Sequence, residues 1–293
     1  MHVKFGVMFA NVGPMAHAEG AVAVAQAAEE AGFESIWTVE HTVVPAGYQS
    51  TYPYGAGGRM PGPEDSDFPD PLIWLAFVAA HTSTVRLGTG VLILPQRNPV
   101  TLAKEVATLD RLSGGRVELG VGVGWLEEEF KALGVPFAER GKRADDQIAA
   151  MRALWNQELS SHDGPYYSFD GIYSRPLPTQ ANLPIVVGGH SEAAARRAGR
   201  LGDGFFPGKG SHERLAELIA LMRRTAEEHG RDPDAIEITS GGDGAVGSKA
   251  LDEVKALAEL GVHRVIVPPL AYDADGQRKV FAEYGEQVIA KSQ

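Results

Sequence analysis

Glu40 and His41 stand side by side directly after a short apolar run, 33–39. Histidine is the side chain whose ordinary pKa suits proton transfer near neutrality, so His41 is a candidate acid–base group. Its neighbour has three readings: Glu40 orients His41, pairs with an arginine, or is solvated. A second candidate is Val187-Gly188-Gly189-His190-Ser191, which runs straight into a helical stretch. Free backbone N–H groups and the helix dipole make such a turn an anion site. Ser191 either adds a hydroxyl to that site or caps the helix, and a plain tight turn is the alternative reading. Arg97 and Lys209 either meet an anionic group or form surface ion pairs.

Several other chemistries are excluded. The chain has no cysteine, so disulfides, Cys-ligated zinc, iron–sulfur clusters and thiol nucleophiles are ruled out. No His-x-x-x-His or His-Glu-x-x-His occurs, and the acidic residues do not cluster, so no metal is expected. Gly-x-Ser-x-Gly is absent, which removes a hydrolase nucleophile elbow. His81, His162, His212, His229 and His263 read as structural or surface groups. Glu127-Glu128-Glu129 reads as a solvated helix face, favourably charged near a helix N-terminus.

These residues need elements to position them, and the chain supplies one pattern repeatedly. Apolar, β-prone runs at 3–9, 33–39, 85–94, 116–123, 184–187, 203–206, 235–239 and 262–267 alternate with helical stretches. The helices are expected at 17–31, 71–82, 99–112, 125–133 with 140–155, 192–201, 212–229, 251–260 and 277–290. Asp70-Pro71 and Asn98-Pro99 are N-cap and first-turn pairs. Alternating βα units argue for a parallel sheet with helices outside. Eight of them argue for a single α/β domain over 1–293, a closed (β/α)8 TIM barrel, with an open sheet of the same units as the alternative. Two features break the rhythm: a long loop after strand 2, 42–69, and a small hairpin insertion before strand 5, within 158–182. In such a barrel the active site lies at the C-terminal ends of the strands. Asn11, Glu40-His41, Gln96-Arg97, Gly124-Trp125, Gly188-Gly189-His190-Ser191, Pro207-Gly208-Lys209, Gly241-Gly242-Asp243 and Pro268-Pro269 all fall there. Part of the surplus in the 35 glycines therefore sits at one mouth, where glycine permits close backbone approach.

Composition narrows the partners. The formal charge of −11 argues against a phosphate-backbone binder, so no nucleic acid is expected. The longest apolar stretch, 72–80, is too short to span a bilayer, so no membrane partner is expected. The first residues read as a strand and not a signal peptide, which makes a cytoplasmic location the expectation.

Longer motifs add a resemblance. Arg86-Leu-Gly-Thr-Gly-Val-Leu-Ile-Leu-Pro-Gln-Arg-Asn-Pro99, Thr108-Leu-Asp-Arg-Leu-Ser-Gly-Gly-Arg116 and Gly120-Val-Gly-Val-Gly-Trp125 resemble the bacterial luciferase-like superfamily. Trp37 with Glu40-His41, Phe137-Ala-Glu-Arg-Gly141, Val187–Ser191 and Gly202-Asp-Gly204 make the chain most similar to its probable coenzyme F420-dependent oxidoreductase branch. The resemblance covers nearly the whole chain. It implies a (β/α)8 barrel, a bound deazaflavin (F420) or flavin (FMN), a small-molecule substrate and a homodimer. It implies a bulge with a non-prolyl cis peptide at Gly90-Val91 behind the cofactor ring, and a phosphate site at Gly188, Gly189, His190 and Ser191. It assigns His41 and Glu40 to the reacting end, with Gly124 and Trp125 beside the ring and Asn11 and Trp125 lining the substrate space. The 42–69 loop is then a lid. The sugar-phosphate dehydrogenases of this branch carry an acidic residue where this chain has Trp125, so their substrate and acid–base pair do not carry over. With FMN the same mouth implies oxygen-dependent monooxygenation and a flavin reductase partner. A non-catalytic cofactor-binding barrel is the remaining reading.

Overall fold

The computed structural model describes residues 3–292 except 56, 209 and 242. Its strands are β1 (Lys4–Val7), β2 (Ser35–Thr38), β3 (Arg86–Thr89), β4 (Leu92–Ile93), β5 (Val117–Gly122), β6 (Ser160–Asp163), β7 (Ser168–Ile172), β8 (Ile185–Gly188), β9 (Gly204–Phe206), β10 (Glu237–Gly241) and β11 (Arg264–Val267). The helices are α1 (Ala18–Glu30), α2 (Pro71–Ala79), α3 (Pro99–Leu112), α4 (Glu127–Ala132), α5 (Arg140–Asn156), α6 (Glu192–Leu201), α7 (His212–Glu228), α8 (Ala250–Glu259) and α9 (Ala274–Tyr284).

All strands but β6 and β7 form one parallel sheet that closes on itself. Lys4 pairs with Arg264 on one side. On the other, Leu87 and Gly88 of β3 pair with Val117 and Glu118 of β5. That closure excludes the open sheet and makes the expected (β/α)8 barrel. The third barrel strand is β3 and β4 in succession, interrupted at Gly90-Val91, whose peptide bond is cis as the resemblance implied. The hairpin insertion is β6 with β7, paired antiparallel.

The expected cap pairs operate. Asp70 Oδ1 accepts the N–H groups of Leu72 and Ile73, and Asn98 Oδ1 accepts those of Val100 and Thr101, with proline first in each helix. Element ends differ where other turns intervene. A 3₁₀ turn at Pro233–Ala235, capped by Asp232, delays β10 to Glu237. Asp273 caps α9 three residues earlier than expected. The helix expected from Trp125 starts only at Glu127, because Gly124 turns the chain with φ +78°.

Trp37 fills the barrel. Its indole donates to Ser35 Oγ at 2.9 Å. A Cβ on Gly88 would lie 2.5 Å from the Trp37 ring and one on Gly6 2.9 Å from its nitrogen, so glycine on the flanking strands makes room. Below it, at the strands' N-terminal ends, Arg264 is fully buried and meets Glu34 at 2.8 Å, Glu118 at 2.9 Å and Glu237 at 2.6 Å. This charged plug closes the far end, which leaves the mouth as the open face. Among the described residues no helix is long and apolar enough to cross a membrane.

Candidate functional site

The interruption in the third strand builds a shelf at the mouth. The Val91 side chain enters the gap left by two glycines of neighbouring strands. A Cβ on Gly122 would stand 2.5 Å from Val91 Cγ2, and one on Gly188 would be closer still to Cγ1. A Cβ on Gly90 would meet the Met8 sulfur at 3.0 Å. Glycine at 90, 122 and 188 thus leaves an apolar floor, with Met8 and Phe206 packed in the same small cluster as Trp37.

His41 follows β2, three residues past its last residue, Thr38. Its Nδ1 lies 3.2 Å from Glu129 Oε2, and the two side chains are 7% and 0% exposed. The other Glu129 oxygen accepts the N–H groups of Thr42 at 2.6 Å and Val43 at 3.2 Å. The imidazole is held edge-on between Phe68 and Trp125, with ring centroids at 5.5 and 5.7 Å. A cavity of about 280 Å³ opens beside it, lined by Glu40, Phe68, Asp70, Gln96 and Arg97.

Glu40, expected at the reacting end, is committed elsewhere. It accepts from Ile93 N–H and from Arg97, whose Nε lies at 3.1 Å, and Arg97 also reaches Asp70 at 2.7 Å. Burial pushes the Glu40 carboxyl above its ordinary value against the pull of Arg97. Burial also opposes the charge on Arg97, but Glu40 and Asp70 outweigh it and hold the guanidinium above its ordinary value. Of the three readings, pairing with an arginine is the one observed. Glu40 fixes the strand end beyond the Val91 shelf. Asn11 is likewise spent: its amide joins both polar groups of Val39 at 2.9 Å, and it is fully buried. It ties the end of β1 to that of β2 and offers no free polar atom to a substrate, contrary to the expected pocket role.

The Gly188–Ser191 turn is the tight strand-to-helix turn of one reading, with Ser191 as the helix cap. Gly189 has φ +126° and donates to Phe206 O at 2.9 Å, while the Ser191 hydroxyl caps α6 by accepting from Ala194 N–H. Among the described residues, His190 Nδ1 is buried without a hydrogen-bond partner. A polar atom left so is a place for a ligand oxygen, and it stands one turn from the shelf. A flat tricyclic ring on the shelf, with an anionic tail toward His190 and the α6 N-terminus, fits these residues. Lys209 and Gly242 lie outside the described residues.

The 42–69 loop runs along half the rim. Tyr48 and Tyr52 stand edge-on to Trp125 at 5.5 and 5.2 Å. Tyr54 reaches His190, with ring centroids at 4.9 Å. The expected lid therefore touches the ends of β2, β5 and β8. Its fastening was not expected. Glu128 accepts from Gln49 N–H at 2.6 Å and from the Ser50 hydroxyl at 2.6 Å, and Glu129 holds the loop's first two residues. Only Glu127 of the acidic triplet fits the solvated-face reading. The missed signal was its place: the triplet opens the short helix right after a barrel strand's C-terminal end.

The family model for luciferase-like monooxygenases matches residues 3–290. An uncharacterized protein of Mycobacterium tuberculosis is 37% identical over 247 residues, 84% of this chain and 83% of the relative. A Kineococcus radiotolerans protein named F420-dependent glucose-6-phosphate dehydrogenase is 34% identical over 220 residues, 72% of this chain and 59% of its own. An F420-dependent secondary alcohol dehydrogenase, solved with an F420-acetone adduct, superposes with a TM-score of 0.79 at 18% identity, covering 100% of both chains. A monooxygenase from Streptomyces bottropensis does so with 0.76 at 24% identity, covering 99% of this chain and 100% of its own. The two structures speak for the fold.

Proposed function

This chain belongs to the luciferase-like monooxygenase family, and from that premise we propose that it is an oxidoreductase passing a hydride between coenzyme F420 and a small organic substrate. The observation that carries the reading is a carboxylate-held histidine, His41, just past the C-terminal end of β2, at the same end of the barrel as the glycine-built shelf. The relative named as F420-dependent, at 34% identity, favours the deazaflavin over FMN.

When bound, the deazaflavin accepts or donates a hydride at one ring carbon. The chain supplies the rest. Gly90 and Val91 form the floor under the ring, and Gly188, Gly189, His190 and Ser191 face its anionic tail. His41 takes the substrate's hydroxyl proton as carbon gives up its hydride, and returns it in the reverse direction. Trp125 makes an aromatic wall where the sugar-phosphate dehydrogenases have an acid, so a less polar substrate fits better. The tyrosines of the 42–69 loop exclude water from the mouth.

The same mouth suits FMN, and monooxygenase chemistry with a flavin reductase partner is the second reading, favoured by the family's own description. We also propose a homodimer through α2, whose outward face carries Ile73 at 73% exposure and Phe77 at 40%. A helix apolar on all sides calls for cover on all sides.

Thermal unfolding with F420 and, separately, with FMN tests the reading. A ligand at a hundred times its Kd stabilises by about 2.7 kcal/mol. A shift with F420 alone supports the proposal. A shift with FMN alone replaces it by the second reading, and no shift with either overturns the site.

A further inference from the structure

The mouth histidine has two ring nitrogens, and only one can serve the substrate. Glu129 Oε2 stands 3.2 Å from Nδ1. Its carboxylate already takes two backbone N–H groups on the other oxygen, from Thr42 and Val43. It is fully buried, so its charge depends on those three donors. An ionised carboxylate only accepts, so the hydrogen in the His41 contact belongs to Nδ1. The neutral ring then keeps its lone pair on Nε2, which carries no hydrogen bond among the described residues. Around the ring, Phe68 and Trp125 are uncharged, and Arg97 is bound to Glu40 and Asp70.

We propose that Glu129 is a positioning residue: it fixes His41 as the Nδ1–H tautomer, with Nε2 as the atom that exchanges the proton, and it roots the lid with the same carboxylate. The proposal rests on the reading of His41 as the proton partner. No sequence feature pointed to it, since Glu129 lies 88 residues away in an acidic triplet. Its logic is that of a histidine oriented by a third group, where loss of the carboxylate leaves the geometry and changes the tautomer.

The test uses the ligand-free protein with ¹⁵N-labelled histidine, at a pH where the ring is neutral. His41→Gln identifies the resonance by its loss. In the wild type we expect the proton on Nδ1. In Glu129→Gln the amide oxygen keeps the Thr42 and Val43 N–H groups, the amide NH₂ faces Nδ1, and the proton moves to Nε2. In Glu129→Ala we expect both tautomers. A wild-type ring protonated on Nε2, or a tautomer unchanged in either variant, overturns the proposal. The wild-type spectrum decides even if a variant fails to fold. Because no coenzyme is present, a failure to bind F420 would remove the proposed reaction and leave this result standing.

Discussion

Gly122→Ala is the sharpest test of the shelf. The new Cβ would lie 2.5 Å from Val91 Cγ2, against roughly 3.5–4.0 Å for a relaxed carbon pair. The overlap of about 1 Å must be relieved by moving Val91 or β5, and such overpacking costs about 1–3 kcal/mol. Replacing a glycine whose φ any residue can adopt gives back about 0.4–1 kcal/mol through the unfolded chain. The net loss is about 1–2 kcal/mol. Val91→Ala removes the offending methyl and leaves Val91 Cβ, 3.5 Å from the new carbon, as the nearest atom. In that background Gly122→Ala should be neutral or stabilising. Urea unfolding of the four proteins measures the cycle, and F420 titration of each follows the floor's effect on the ring. A sign reversal is expected. Effects that add to within about 0.5 kcal/mol in both backgrounds would refute the fitted slot.

Three further outcomes are expected. Glu40→Gln keeps an acceptor for Ile93 N–H but breaks a buried pair, so unfolding should come about 2 kcal/mol easier; no loss would return Glu40 to the role of a spare acid at the mouth. The Ser50 hydroxyl and the Gln49 N–H hold the Glu128 carboxyl at about 2, below its ordinary 4.5. A depressed pKa means an anchor complete above pH 4.5 and lost as pH falls toward 2, so the protection of the Gln49 and Ser50 amides, relative to the intrinsic exchange rate at each pH, should drop across that window in the wild type and show no such step in Glu128→Gln. Ile73→Lys places a charge on the exposed α2 face and should give a folded monomer in sedimentation analysis; an unchanged mass would move the dimer contact elsewhere.

The barrel was legible because each unit repeats a local signal. Asp70-Pro71 and Asn98-Pro99 announce helix starts by their own chemistry, and parallel strands buried on both faces read as apolar runs. The interruption at Gly90-Val91 was legible only through the resemblance. Nothing local tells that Val91 enters a gap made by Gly122 and Gly188, one 31 residues on and the other far beyond it. Asn11 and Glu40 do lie at strand ends, but the substrate task expected of Asn11 and the reacting-end task the resemblance implied for Glu40 are not the contacts seen. A polar residue at a strand end looks the same whether it faces a ligand or a neighbouring backbone. What separates the two is the partner, Val39 for one and Ile93 with Arg97 for the other.

The acidic triplet carries the larger lesson about function. Three consecutive glutamates at a helix start satisfy the dipole whatever their surroundings, so sequence gives no reason to split them. The fold splits them by burial and partner. Glu127 faces solvent, Glu128 meets the middle of the lid, and Glu129 meets its root and the histidine. The 42–69 loop and His41 therefore share one short helix as their support. On the proposed reading, a substrate that lifts the 42–69 loop at Gln49 and Ser50 would pull on α4, one residue from the carboxylate proposed to orient His41. If His41 moves the proton as proposed, loop movement and proton transfer would be coupled through a single turn of helix, and the side chain that would couple them is the one whose removal should change a tautomer before it changes a fold.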